Sequence, residues 1–246
     1  LILFHGPDTV AALIAEPVSA SSLAAVPGDP YWPMIREICT RYGVLLIADE
    51  VITGFGRTGK MFAVEHWEVV PDLMTVAKGI TSSYLPLAAT ICTNHVADAF
   101  AGEQNIFRQA LTFGGHPVCA SAALSNIEII ESEQLVKNSA VMGEYFLNKL
   151  KEMKEVHPII GDVRGLGLLL GIEIVKDRKT KENFSTDSGI AEMLNKAFRS
   201  HGLILFASDK GVSIGPPLCI QKNEVDFISE AISKSIASVE EEFSSF

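Results

Sequence analysis

Two adjacent acids and one lysine frame the chemistry open to this chain. Asp49 and Glu50 follow the apolar run Val44 to Ala48, and after Val51 comes a glycine-rich loop, Gly54-Phe55-Gly56-Arg57-Thr58-Gly59. Carboxylates taken out of water are costly unless something meets them, so the pair calls for Arg57, helix N–H groups or a cationic ligand. Lys78 ends a second apolar run, Leu73 to Ala77, and precedes Gly79; in the first 136 residues the only lysines are Lys60 and Lys78. A partly desolvated ammonium at such a place gives up its proton more readily and becomes the neutral nucleophile that Schiff-base chemistry needs. The plainer alternative is a strand-end lysine whose head reaches water.

The elements that must position these groups follow from the apolar pattern. Residues 11–14 read as a buried strand that stops at Glu16-Pro17, and Met34, Ile35, Ile38, Cys39 and Tyr42 recur at helical spacing up to Gly43, where a C-terminal cap belongs. Residues 44–48 read as a second buried strand. Strand, helix and strand in this order form a right-handed βαβ unit and imply a parallel sheet, whose ligands bind beyond the carboxyl ends of the strands. Glu16, Asp49 and Glu50 all stand at such ends. Residues 73–77 and 87–92 read as further strands of the sheet, and Pro117 opens a helix that His116 helps to cap. From about residue 126 charged helices (134–154, 186–201, 223–242) alternate with short strands (166–175, 203–206, 212–214), with Arg164 at the entry to the first of these strands. The expected class is α/β, with residues 1–125 forming the latter part of a large domain built on a mainly parallel sheet and residues 126–246 a smaller α+β domain.

Composition narrows the function. The 246 residues are 48% hydrophobic and 20% charged, with 19 Gly and 11 Pro, which excludes disorder, collagen and coiled coil. A net charge of −10 repels phosphate backbones and anionic lipid, so neither nucleic acid nor membrane is expected as a partner. The longest apolar stretch, Leu166 to Val175, is broken by Gly167, Gly171 and Glu173 and falls short of the ~20 residues of a spanning helix. The four cysteines share no CxxC spacing and none of the six histidines lies four residues from another, so no metal site and a reducing, cytoplasmic setting are expected. The chain starts at Leu1 within an apolar stretch, and a missing N-terminal part is expected.

Asp49 can keep a pyridine nitrogen protonated while Lys78 forms an imine, the arrangement through which a protein uses pyridoxal phosphate as an electron sink. The sequence also resembles the class III pyridoxal-phosphate-dependent aminotransferases. The likeness lies in Ala15-Glu16-Pro17-Val18, in Leu46 to Gly59, in Pro71-Asp72-Leu73 through Ala77-Lys78-Gly79, and in Thr112-Phe113-Gly114-Gly115-His116-Pro117; it continues through Asp162 to Gly167 and Pro216-Pro217-Leu218. It thus covers essentially the whole chain. The resemblance implies fold type I, Lys78 as the lysine that carries the cofactor, and Asp49 on its pyridine nitrogen. It also implies that Val51 packs on a ring face and that Thr112 reaches the cofactor phosphate of a neighbouring subunit in a homodimer. Glu16 matches a substrate-pocket carboxylate, and Glu50 supports the cofactor loop, as an ion pair with Arg57. The implied activity is ping-pong transfer of an amino group from a primary amine or omega-amino acid to pyruvate or 2-oxoglutarate.

Two departures qualify the match. Family members begin well upstream, with a phosphate loop and a stacking aromatic that this sequence lacks. Many relatives also carry a carboxylate-binding arginine where, ten residues before Pro216, this chain has Phe206. An aromatic ring cannot form the bidentate contact of a guanidinium, so either another arginine takes that role, with Lys210 the candidate replacement in this stretch, or one substrate lacks a carboxylate. The rival readings are an aminomutase of the same fold, and an inactive fragment with a structural or dimerisation role.

Overall fold

The computed structural model describes residues 1–244, and the chain divides into two compact units. The first comprises residues 1–17 and 27–136; the second comprises residues 18–26 and those from 137 onward.

The first unit opens with one helical turn, α1 (Ile2–His5), and strand β1 (Ala12–Ala15), after which α2 (Tyr31–Tyr42) leads into β2 (Leu45–Asp49). Helix α2 stops at Gly43 as its sequence predicts. The φ of 67° there is left-handed, which a residue without Cβ adopts freely, and its N–H closes on the carbonyls of Cys39 and Thr40. Strands β3 (Leu73–Val76) and β4 (Ala89–Cys92), the short α3 (Asn94–Asp98) and the long α4 (Pro117–Ser132) complete the unit. His116 caps α4 as expected, its Nδ1 accepting from the Val118 N–H at 3.3 Å.

The sheet order is β1-β2-β3-β4, with β1, β2 and β3 parallel and β4 antiparallel to β3. A parallel return needs a crossover, usually a helix, whereas β3 and β4 are joined by a loop whose only regular piece is the 3-10 turn Lys78–Thr81. Ala15 pairs with Ala48 and Asp49 with Thr75, so three parallel strands finish nearly level and deliver their following residues to one edge.

Alternation decides what lies under that edge. Leu13, Ala15 and Leu46 pack with Trp32 and Cys39 of α2, and the Trp32 indole donates to the Pro17 carbonyl at 3.2 Å. Asp72 ties helix to sheet by accepting from Arg36 Nη1 and the Leu46 N–H, each at 2.7 Å. Burial alone would raise the Asp72 pKa, but these two donors outweigh it and hold the carboxyl below the ordinary range. The expected burial of residues 11–14 is corrected: Ile14 is 61% exposed, because α2 covers only the face of Leu13 and Ala15.

In the second unit an antiparallel sheet of four strands, in the order 160–166, 169–174, 211–214 and 206–208, packs with helices α5 (Leu135–Val156), α6 (Ile190–Ser200) and α7 (Lys222–Ser244). Residues 166–175 are not one strand. Strands β5 (Ile160–Leu166) and β6 (Leu169–Ile174) form a hairpin that turns at Gly167, φ 56°, and Leu168. Leu168 is fully buried although it lies in the turn, so the apolar run passes through the turn unmarked. Arg164 accordingly sits within β5 and bonds Asp162 Oδ2 at 3.0 Å and Glu173 Oε2 at 3.2 Å. The strand expected at 203–206 is displaced to β7 (Phe206–Ser208), followed by β8 (Gly211–Ile214). Leu203 instead completes the end of α6, its N–H bonding the Phe198 carbonyl at 2.9 Å. The helix expected over 186–201 is likewise split, since Gly189 at φ 73° separates the turn Thr186–Ser188 from α6.

Candidate functional site

Asp49 closes β2 half-buried, and one of its oxygens is fully engaged. Its Oδ1 accepts from the Val51 N–H and from Thr75 Oγ1, both at 3.1 Å, while the Glu50 N–H continues the ladder to the Thr75 carbonyl at 2.9 Å. Among the described residues no hydrogen bond or ion pair engages Oδ2. The carboxylate is therefore fixed through one oxygen and has the other available to a cationic or N–H donor.

Glu50 points the other way and is fully buried. Its Oε2 accepts from the Thr53 hydroxyl and its Oε1 from the Val64 N–H at 2.9 Å. Burial pushes the Glu50 carboxyl above the ordinary glutamate range despite those donors. The supporting role expected through an ion pair with Arg57 is thus corrected: neutral donors of the loop itself meet the Glu50 charge. Arg57 lies largely buried in the same loop, and desolvation lowers its pKa. His66 bonds the carbonyl and hydroxyl of Thr58 at 3.1 and 3.2 Å, and burial lowers its pKa as well.

Lys78 opens the 3-10 turn directly after β3. Its φ of 43° is left-handed, a conformation that costs a side-chain-bearing residue about 1–3 kcal/mol and persists only where the surroundings impose it. Phe55 in the glycine-rich loop has the same character at φ 57°. The two segments touch: a Cβ on Gly79 would come 3.2 Å from Phe55 Cβ and 3.3 Å from the Gly54 carbonyl oxygen, so glycine is what lets the turn seat on the loop. Below them Phe55, Val76, Ile80, Ala123 and Ile130 form one buried cluster. The Lys78 side chain is exposed, so the partial desolvation expected of it is not met within this chain, and no hydrogen bond or ion pair among the described residues engages its Nζ.

The structure thus gathers Asp49, Val51 and Lys78 at one sheet edge, over a shared core, with Glu16 following β1 on that edge. Thr112 lies in the run 101–118, exposed throughout, and no hydrogen bond among the described residues joins it to Asp49, Val51 or Lys78. Phe206 belongs to the second unit, where it opens β7 opposite Ser213 and is 78% exposed. Lys210 lies in the β7–β8 turn of the same hairpin. Sequence reasoning missed Thr75, whose role depends on the β2–β3 register, and Asn126. The signal for Asn126 was an amide on the apolar stripe of Ala123, Ile127 and Ile130.

An open, mostly parallel sheet with acid and lysine at its carboxyl edge, followed by an α+β unit, defines the fold type I transferases. Solved structures agree: the (S)-enantioselective omega-transaminase of Thermomicrobium roseum matches with a TM-score of 0.94 at 40% identity, covering 97% of this chain and 53% of that one. The family model for aminotransferase class III matches residues 3–236, and the chain belongs to that family. Among curated relatives, the taurine–pyruvate aminotransferase of Bilophila wadsworthia is 41% identical over 254 residues, covering 99% of this chain and 55% of its own length. The putrescine–pyruvate aminotransferase of Pseudomonas aeruginosa is 39% identical over 226 residues, covering 92% and 49% respectively. The chain spans about half the length of the curated relatives it matches. These relatives are named as transaminases, which does not favour the aminomutase alternative. Among the described residues no helix is long and apolar enough to cross a membrane.

Proposed function

We propose that the chain forms part of a pyridoxal-phosphate-dependent aminotransferase that moves an amino group from a primary amine to pyruvate. The observation that carries this reading is the paired strand end, with Asp49 pinned through Oδ1 to Thr75 and the strained Lys78 turn beginning three residues after Thr75. The residues fit the cofactor. Lys78 Nζ, without a partner among the described residues, would hold its aldehyde; Asp49 Oδ2 would accept a hydrogen bond from its protonated ring nitrogen. Val51 would lie against the ring, and Thr112 would reach the phosphate bound in a second copy of the protein. Glu50 would shape the loop from beneath without touching the cofactor. When bound, the cofactor supplies an electron sink for the carbon that loses its proton. Lys78 Nζ, once free, is the base that takes the proton from the amine-bearing carbon of the donor. Because Oδ1 is already committed, the Asp49 carboxylate needs little reorganisation to hold positive charge on the ring.

The names of relatives support the donor class. Two relatives carry names that pair pyruvate with taurine and with putrescine, and neither of these amines has a carboxylate. The test is alanine formation from pyruvate by the purified protein with matched donors. Amines without a carboxylate should exceed carboxylated donors of similar size by about tenfold, and K78A should abolish turnover. Equal rates for the two donor sets would overturn the restriction to donors without a carboxylate, and turnover in K78A would overturn the reading.

A further inference from the structure

The turn that carries Lys78 is gripped from outside by helix α4. Asn126 Nδ2 donates to the Gly79 carbonyl at 2.8 Å and to the Ile80 carbonyl at 3.2 Å, and its Oδ1 accepts from Ser82 Oγ at 2.6 Å. Both amide hydrogens face oxygens that only accept, so a flipped amide would set its own oxygen against two carbonyls; the orientation is fixed by the partners. Asparagine is a poorer helix former than leucine or alanine, and this one sits mid-helix beside Ala123, Ile127 and Ile130, which pack into the cluster with Val76 and Ile80. Nothing in α4 itself calls for an amide there. The turn does: Lys78 is left-handed, and so are Ser82 and Ser83 at φ 48° and 61°. Its own bonds include Ile80 N–H to Ala77, Ser82 N–H to Gly79, Ser83 N–H to Lys78 and Tyr84 N–H to Thr81, at 3.1, 3.3, 3.1 and 3.1 Å, and Thr81 Oγ1 to the Leu85 carbonyl at 2.6 Å.

We propose that Asn126 is a positioning residue for Lys78. By fixing the Gly79 and Ile80 carbonyls it maintains the left-handed backbone at Lys78 and so determines where the amine is presented. The inference rests on the reading of Lys78 as the amine that takes the cofactor aldehyde.

Three variants separate the contributions. N126L keeps the volume and the apolar packing but removes all three bonds. N126D keeps the acceptor for Ser82 and turns the two donor positions into a carboxylate oxygen facing carbonyls. S82A removes only the Ser82 bond. The first readout is amide hydrogen exchange in residues 80–84, with the unfolding midpoint measured alongside. Exchange there should be about tenfold faster in N126L and N126D than in the parent and close to the parent in S82A. The second is trapping with pyridoxal phosphate and borohydride. Lys78 Nζ adds to the aldehyde carbon, water leaves, and hydride reduces the C=N bond to a secondary amine that peptide mapping locates. Labelling of Lys78 should slow by about tenfold in N126L and N126D, while S82A labels like the parent. If N126L does not fold, the isosteric N126D carries the test. Parent-like exchange and labelling in these variants would overturn the positioning role. Absence of label on Lys78 in the parent protein would overturn the functional reading beneath it, whatever the exchange data show.

Discussion

Replacing Glu50 tests how the glycine-rich loop is built. Glu50 and Thr53 are fully buried and Val64 is 3% exposed, so the two donors on the Glu50 carboxylate have no access to water. E50L strands the Val64 N–H and the Thr53 hydroxyl. At about 1–3 kcal/mol for each buried unsatisfied group, and with the Thr53 hydroxyl able to rotate toward another acceptor, the first unit should lose about 2–4 kcal/mol. E50Q keeps one acceptor oxygen and can donate back to Thr53 Oγ, so it should lose about 1–2 kcal/mol. The pH dependence has a definite sign. A carboxyl whose folded pKa is raised contributes stability that is complete below its ordinary value of 4.5 and is lost as pH rises through the folded value. The advantage of the parent over E50Q should therefore be largest below pH 4.5 and shrink toward neutrality. Urea unfolding followed by tryptophan fluorescence reads this out, because Trp32 and Trp67 are the only tryptophans and both belong to the core of the first unit. An E50L within about 0.5 kcal/mol of the parent, or an E50Q as damaged as E50L, would refute the reasoning.

D72N weakens the tie between α2 and the sheet. It should cost about 1.5–3 kcal/mol near neutrality. Because the Asp72 pKa is lowered, that stability is present above the ordinary value of 3.8 and lost as pH falls through the folded value, so the gap between D72N and the parent should close in acid. G143A should destabilise the second unit by about 3 kcal/mol in calorimetry, since its Cβ would come 2.2 Å from backbone atoms of Gly167 in the β5–β6 turn. G28A, whose nearest neighbour would be Pro30 Cδ at 3.8 Å, should stay within about 0.5 kcal/mol of the parent. T75V removes the hydroxyl that fixes Asp49 Oδ1 and should weaken retention of pyridoxal phosphate by about fivefold, measured by equilibrium dialysis.

The parts of the fold legible in the sequence were those with strong local punctuation. Apolar runs ending at Pro17 and Asp49, and a glycine after Tyr42, were enough to place β1, α2 and β2 and to put Asp49 and Lys78 at strand ends. The errors arose where tertiary packing overrides pattern. Leu168 is buried in a turn, so hydropathy runs the turn into β6 and leaves β5 unread; Leu203 serves the end of α6, so its apolar neighbours pass for a strand. The same limit explains the site. That Glu50 is met by Thr53 and Val64 depends on how the loop folds back on itself, and charge counting alone points to Arg57. Thr75 and Asn126 act through a register and a helix docking that no spacing encodes.

The central claim is that Lys78 is the amine that takes the cofactor. Its most direct test is borohydride reduction of the purified protein with pyridoxal phosphate, followed by mapping of the modified lysine, with K78A as control. The label should fall in the peptide containing Lys78 and be absent from K78A. Label on Lys60, Lys210 or any other lysine at the same rate in parent and K78A would contradict it.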